Sequence, residues 1–314
     1  MPPENEEKVA QLLDELVAFA HERLPAATFG IVEPLLRHYY DLADGEDLLA
    51  RNVADLYGAV MAHWQTAQKF VPGTARLRVY NPNLEEHGWH SDHSIVEIVN
   101  DDMPFLVDSV TTEINRHGLT LHSAIHPVFR VCRDARGGIE SIGLGGGEMG
   151  ATNCRLESFI HFEVDRTGEA AQLEALRNAI ARVLGDVRVA VEDWPRMQQI
   201  ARDTIGGMAQ APDAATPESV EARAFLEWML DDHFTFLGHR DYELISRDGQ
   251  FWLRGVPGSG AGILREALRD PAAEDLTSLP AAARSVIEGA TPIFLTKANS
   301  RATVHRPGYL DYVG

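Results

Sequence analysis

Residues 93–131, HSIVEIVNDDMPFLVDSVTTEINRHGLTLHSAIHPVFRV, change their hydrophobic period twice. In His93–Val99, Ile95, Glu97 and Val99 alternate with Val96 and Ile98. Both faces are apolar except at Glu97, which is the pattern of a mostly buried strand. Asn100, Asp101 and Asp102 close it. Pro104 suits the first turn of a helix, where a missing N–H is harmless. Asp102 is the expected N-cap, and both aspartates suit the positive end of the helix dipole. Phe105, Leu106, Val110 and Ile114 follow helical spacing, and His117-Gly118 makes a left-handed stop. Leu119, Leu121, Ile125, Val128, Phe129 and Val131 then form an extended run bent at Pro127. Strand, acidic turn, helix, glycine stop and strand make the first half of a small-molecule-sensing domain rather than of an active site.

A second half follows. In Ser158–Val164, Phe159, His161 and Glu163 alternate with Ile160, Phe162 and Val164. Glu169–Leu184 carries Leu173, Leu176, Ile180 and Leu184 at helical spacing, and Val187–Val191 is expected as a closing strand. The predicted fold is α+β: a βαββαβ sandwich with an antiparallel sheet over residues 74–192. A hairpin strand at Ala75–Tyr80, turned by Asn81-Pro82-Asn83, extends the sheet.

Residues 1–73 read as a helical segment. Val9, Leu12, Leu13, Leu16, Val17 and Phe19 form one stripe, Phe29–Tyr40 is a second helix with Pro34 in its first turn, and Asp47–Phe70 is a third. Residues 193–233 read as linker helices, with Trp194–Ile205 and Ser219–Asp232 helical and Gly206–Thr216 a flexible connection. Residues 234–314 read as a second α+β unit. It opens with a hairpin turned by Arg247-Asp248-Gly249, continues through helices at 262–289, and ends in strands at Pro292–Thr296, Ala302–Arg306 and Tyr309–Val313. The ending at Gly314, in or just after a strand, predicts that the chain is part of a longer protein.

Composition narrows the function classes. The 314 residues exceed one ordinary core, and the net charge of −19 argues against nucleic acid and anionic membranes as partners. No stretch approaches the length of a membrane span, and Met1–Lys8 is too polar for a secretory signal. Cys132 and Cys154 are the 2 cysteines; they fit a reducing cytoplasm and are expected as free thiols.

Several groupings suggest chemistry without assembling it. His87, His90 and His93 have a zinc-like spacing, but only Asp92 is near as a fourth ligand, so a polar hairpin tip is expected and no metal. Gly255–Gly262 (GVPGSGAG) departs from the dinucleotide fingerprint and reads as a loop. Gly145-Gly146-Gly147 reads as a loop between strands. Asp101, Asp102 and Asp108 are better explained by a helix start than by catalysis. His122, His126 and His161 are expected as hydrogen-bonded strand residues. There is no nucleophile elbow, phosphate-cradling lysine loop or H-E-x-x-H helix, so no catalytic residue is assigned.

HSIVEIVNDDMPFLVDSV, HPVFRVCRD, FTFLGHRDYEL (234–244), VPGSGAGILRE (256–266) and TKANSRATVHRPGYLDYVG (296–314) resemble, in order, the N-terminal region of the large bacterial NAD-specific glutamate dehydrogenases. The resemblance implies an ACT-like domain at 74–192 and a PAS-like or related unit at 234–314. It also implies that the catalytic domain, with its glutamate site and NAD fold, lies far C-terminal, so this segment itself holds no cofactor. Oxidative deamination of L-glutamate with NAD is the family reaction. The N-terminal region is expected to serve regulation and homo-oligomer assembly, with the chain's own catalytic region and other subunits as partners. The candidate effector-binding residues are Asn100, Asp101, Asp102, Met103, Pro104 and Phe105. One departure bears on them: amino-acid-binding ACT domains often have glycine after the proline, and Phe105 stands there instead. Its side chain would crowd an effector, which makes a packing role the competing expectation.

Overall fold

The structure is a computed structural model that describes residues 3–145, 153–247, 250–265, 276–278 and 291–314. The chain divides into two compact units, Met1–Leu184 and Gly185–Gly314.

The first unit begins with four helices, α1 (Pro3–His21), α2 (Ala26–His38), α3 (Gly45–Leu49) and α4 (Val53–Ala67). Helix α2 starts earlier than the spacing predicts, after Pro25, so Pro34 sits inside it and removes one helical N–H donor. The predicted third helix is two. Ala50 ends α3, and the Asn52 side chain accepts the Asp55 N–H to begin α4. This break places Arg51 between two helices.

A six-stranded antiparallel sheet follows. Its elements are β1 (Arg76–Tyr80), the short α5 (Leu84–His87), β2 (Ser94–Asp101), α6 (Leu106–Arg116), β3 (Leu121–Ile125), β4 (Val128–Arg133), β5 (Ile139–Leu144), β6 (Cys154–Val164) and α7 (Ala170–Glu192). The order is β1-β2-β6-β4-β5, with β3 also on β6. The eleven-residue β6 is the organising strand. One edge pairs with β2 over Glu157–Val164, and the other takes β3 and β4 end to end, with the chain bent at Pro127 between them. Strand β1 extends the sheet as expected, but through α5 rather than a tight hairpin.

The expected closing strand at Val187–Val191 is not a strand. It continues α7, because Val187 and Val191 are one helical turn apart and Gly185 is tolerated inside a helix. The strand count is made up instead by β5, which pairs with β4. One hydrophobic cluster joins Leu16, Leu35, Leu36, Leu56 and Val60 of the helices to Val99, Phe129, Val131 and Phe159 of the sheet.

The second unit contains α8 (Trp194–Gln210), α9 (Pro217–Trp228) and a π-turn at Met229–His233. Helix α8 runs through Gly206 and Gly207, so only 211–216 connect it to α9. Its strands are β7 (Gly238–His239), β8 (Tyr242–Arg247), β9 (Gln250–Gly255), β10 (Ala261–Gly262), β11 (Leu276–Ser278), β12 (Leu295–Arg301) and β13 (Tyr309–Val313). They make three small antiparallel sheets, β10-β7, β11-β9-β8 and β12-β13. The β8–β9 hairpin is where the pattern predicts it, with its turn residues 248–249 outside the described residues. Ala302–Arg306 is the connection of the β12–β13 hairpin, not a strand. Most of the predicted helical stretch 262–289 lies outside the described residues, and within it Leu276–Ser278 is a strand.

Candidate functional site

Helix α6 starts at Leu106, two residues past Pro104. Its N-cap is Phe105, which has φ 73° and ψ −1° and no side-chain capping bond. Phenylalanine therefore takes the left-handed conformation that glycine adopts freely, at a steric cost of order 1–2 kcal/mol. Asp102 is not the cap. Its N–H donates to Leu156 O at 3.0 Å, and its carboxylate accepts the Ser158 hydroxyl at 2.7 Å. Asp101 accepts the Gly73 N–H at 2.9 Å, and Asn100 is buried with its amide donating to Asp101 O. Both aspartates thus tie the end of β2 to neighbouring chain. The segment Asn100–Phe105 is continuous in space, with its acidic groups engaged in structure.

A second group of polar residues, outside the predicted site, lies in the core. On β2 and β6, Ile95, Glu97 and Val99 stand opposite Glu163, His161 and Phe159. Glu97, Glu157, His161 and Glu163 are all buried. The three carboxylates each meet partners from other elements. The Thr66 and Tyr80 hydroxyls donate to the two Glu97 oxygens, both at 2.7 Å. Arg51 donates to both oxygens of Glu163, at 2.5 and 2.8 Å. His161 Nε2 is 3.4 Å from Glu163, and His93 Nδ1 is 3.3 Å from it. Arg133 makes a two-pronged contact with Glu157, at 2.7 and 2.6 Å, and also donates to Ala67 O at the end of α4.

His63 on α4 joins this layer. Its Nε2–H donates to Ile98 O at 3.1 Å, which fixes the tautomer, so Tyr39 donates to Nδ1 at 2.7 Å. Burial, with His161 nearby, pushes the His63 pKa down to about 3. Burial also raises the Tyr39 and Tyr80 phenols well above their ordinary range. At Glu163 burial opposes ionisation, but hydrogen bonds from His161 and Arg51 outweigh it and hold the carboxyl below the usual carboxylate range. The layer clamps helices to sheet through paired charges and hydroxyls, and it presents no nucleophile, base and oxyanion donor around a shared reacting position. Glu97, His161 and Glu163 were legible as polar interruptions in strand patterns. Arg51, His63 and Thr66 carried no local signal.

The remaining expected groupings separate. His87 ends α5, where its Nδ1 accepts the Asn83 N–H, while His93 stacks near His122 with ring centroids 4.4 Å apart. His122 Nε2 meets Asp165 at 2.7 Å, whereas His126 Nε2 and His161 Nδ1 have no hydrogen-bond partner among the described residues. Among the described residues no group of three or more His, Cys, Asp or Glu could hold a metal ion. Gly255–Gly262 runs from β9 to β10, strands of two different antiparallel sheets. It is not a strand-to-helix turn of a parallel βαβ unit, the geometry in which a glycine-rich loop meets a dinucleotide. Only Gly145 of Gly145-Gly146-Gly147 lies within the described residues. Cys132 and Cys154, expected as free thiols, are joined as a disulfide, because β4 and β6 bring them directly opposite one another. The second unit has an open cavity of about 1280 Å³ walled by Met197, Met208, Leu226, Met229 and Phe236, which includes none of the predicted site residues.

Residues 35–180 match the family described as glutamate dehydrogenase, ACT1 domain. That stretch is similar to a glutamate dehydrogenase ACT1 domain. It is 36% identical over 312 residues to an NAD-specific glutamate dehydrogenase of Halomonas elongata, covering 98% of this chain and 19% of that protein. It is 35% identical over 276 residues to an NAD-specific glutamate dehydrogenase of Pseudomonas aeruginosa, covering 88% of this chain and 17% of that protein. The chain thus spans about a fifth of the length of the curated relatives it matches. The polar layer and the Asn100–Phe105 turn both fall within the ACT1 match. No helix among the described residues is long and apolar enough to cross a membrane.

Proposed function

We propose that this chain is a non-catalytic regulatory and assembly part of an NAD-dependent glutamate dehydrogenase. The whole protein would convert L-glutamate and NAD to 2-oxoglutarate and ammonia in the cytoplasm. The observation that carries this reading is similarity along 98% of the chain to a relative of which it spans only 19%. The polar layer supports it: charged side chains are consumed in joining helices to sheet rather than aimed at a substrate. In this reading NAD is held elsewhere in the protein, and the partners are its own catalytic region and other subunits. The segments 1–73, 74–192, 193–233 and 234–314 would act as helical cover, ACT-like core, linker and PAS-like unit. The purified chain should give no NADH from L-glutamate and NAD, read at 340 nm. Turnover above a buffer blank would overturn the proposal.

A second reading is favoured by one observation: no side chain caps α6. Backbone N–H groups at a helix start suit a carboxylate, so an amino acid would dock at Asn100–Phe105. Titration calorimetry with the common amino acids tests it, and heat with none of them counts against it.

A further inference from the structure

The two cysteines of the chain lie 22 residues apart in sequence and are joined across β4 and β6, with a Cα–Cα distance of 3.9 Å. Their register explains the pairing. Arg133 N–H donates to Asn153 O, so Arg133 and Asn153 form a hydrogen-bonded pair. The preceding pair, Cys132 and Cys154, is therefore non-hydrogen-bonded, the arrangement in which opposed side chains come closest. Neither strand has to slide for the bond to form or open. Both residues are half-buried, so a small thiol can reach them.

The pair also has a defined neighbour. Cys154, Leu156 and Ser158 alternate along β6, and Ser158 accompanies Leu156 in holding Asp102 at the start of the α6 connection. The cystine thus fastens the end of β6 that anchors Asn100–Phe105.

We propose that Cys132–Cys154 is a reversible thiol–disulfide site whose reaction partner is a low-molecular-weight thiol. Two reductant thiols lose two protons and two electrons and end joined as their own disulfide. The Sγ–Sγ bond between Cys132 and Cys154 breaks, and each Sγ receives one proton. In a reducing cytoplasm such a pair rests as thiols and closes under oxidation, the behaviour of redox-sensing rather than structural disulfides. The oxidised site clamps β4 to β6, and the reduced site loosens the strand end that holds Asp102. The site does not depend on the chain belonging to a dehydrogenase.

The test equilibrates the full 314-residue chain in mixtures of reduced and oxidised glutathione, traps thiols with iodoacetamide and weighs the protein. Between the oxidising and reducing ends the adduct count should go from none to 2, both cysteines together, with an unchanged circular-dichroism spectrum and full reversal. Cys132→Ser and Cys154→Ser should each lose this paired step. Amide hydrogen exchange at Asp102 and Leu156–Ser158 should be faster in the reduced chain and in both variants than in the oxidised chain. Two free thiols, or two glutathione adducts, at the oxidising end would overturn the proposal. So would a cystine that opens only after unfolding, or exchange rates identical in the two forms.

Discussion

Strand β6 has two buried faces that are held by different physics. Ile160, Phe162 and Val164 on one face are apolar and fully buried. On the other, Phe159 shares its face with Glu157, His161 and Glu163, which are buried to the same degree. The apolar face is stabilised by loss of contact with water alone, whichever apolar neighbour covers it. The polar face is tolerable only because specific donors arrive from distant chain: Arg133 at Glu157 and Arg51 at Glu163, while Thr66 and Tyr80 serve Glu97 on the neighbouring strand. A buried polar group without such a partner costs about 1–3 kcal/mol, and a buried charge costs more. One face therefore specifies that helices cover the sheet, and the other specifies which helices and in what register.

Substitutions on each face should separate these two contributions. Arg133→Ala should have the largest effect, a loss of about 3–5 kcal/mol in urea unfolding, because it leaves Glu157 buried without its partner. A loss below about 1 kcal/mol would mean that the clamp is dispensable. On the apolar face Ile160→Val should cost about 0.5–1.5 kcal/mol, since it removes one methylene from a packed site. Tyr80→Phe removes one donor to Glu97 and should fall between them, near 1–3 kcal/mol. Equal costs for Ile160→Val and Arg133→Ala would erase the distinction between the faces.

The pH dependence belongs to the polar face. His63 has its pKa lowered from 6.5 to about 3 in the folded chain, so below 6.5 the unfolded state binds the extra proton. Its contribution to stability is fully present above 6.5 and is lost as pH falls toward 3. The slope should approach about 1.4 kcal/mol per pH unit from this group. Glu163, held below its ordinary range, adds a loss in the same direction at more acidic pH. His63→Gln should flatten the slope between pH 6 and pH 4 relative to the parent, and an unchanged slope would remove His63 from the account.

The smallest effect is expected at the start of α6. Phe105→Gly relieves the left-handed backbone but loses the packing of the half-buried ring, and the two should offset to within about 1 kcal/mol. A loss beyond about 2 kcal/mol would show that the ring's packing dominates the position.

Much of the first unit was legible because periodicity is a local property. The strand His93–Val99, the helix after Pro104, the bend at Pro127 and the strand Ser158–Val164 all declare themselves within a dozen residues. The errors have a common cause as well. Val187–Val191 fits both a strand and a helical turn, and only its continuity with α7 decides between them. Asp102 has the composition of an N-cap, yet Ser158 and Leu156 on a neighbouring strand offer it better partners, so the cap position falls to Phe105. The cysteines give no sign of pairing until two strands set their register.

By itself the sequence determined the alternation of β6, the amphipathic helices and the acidic turn, because these depend on neighbours a few residues away. The tertiary structure decided that the polar face of β6 is interior. It brought Arg51 to Glu163, Arg133 to Glu157 and Cys132 to Cys154, pairings 112, 24 and 22 residues apart. No local pattern encodes such contacts, because a charge or thiol reads the same in sequence whether its partner is water or a residue on another strand.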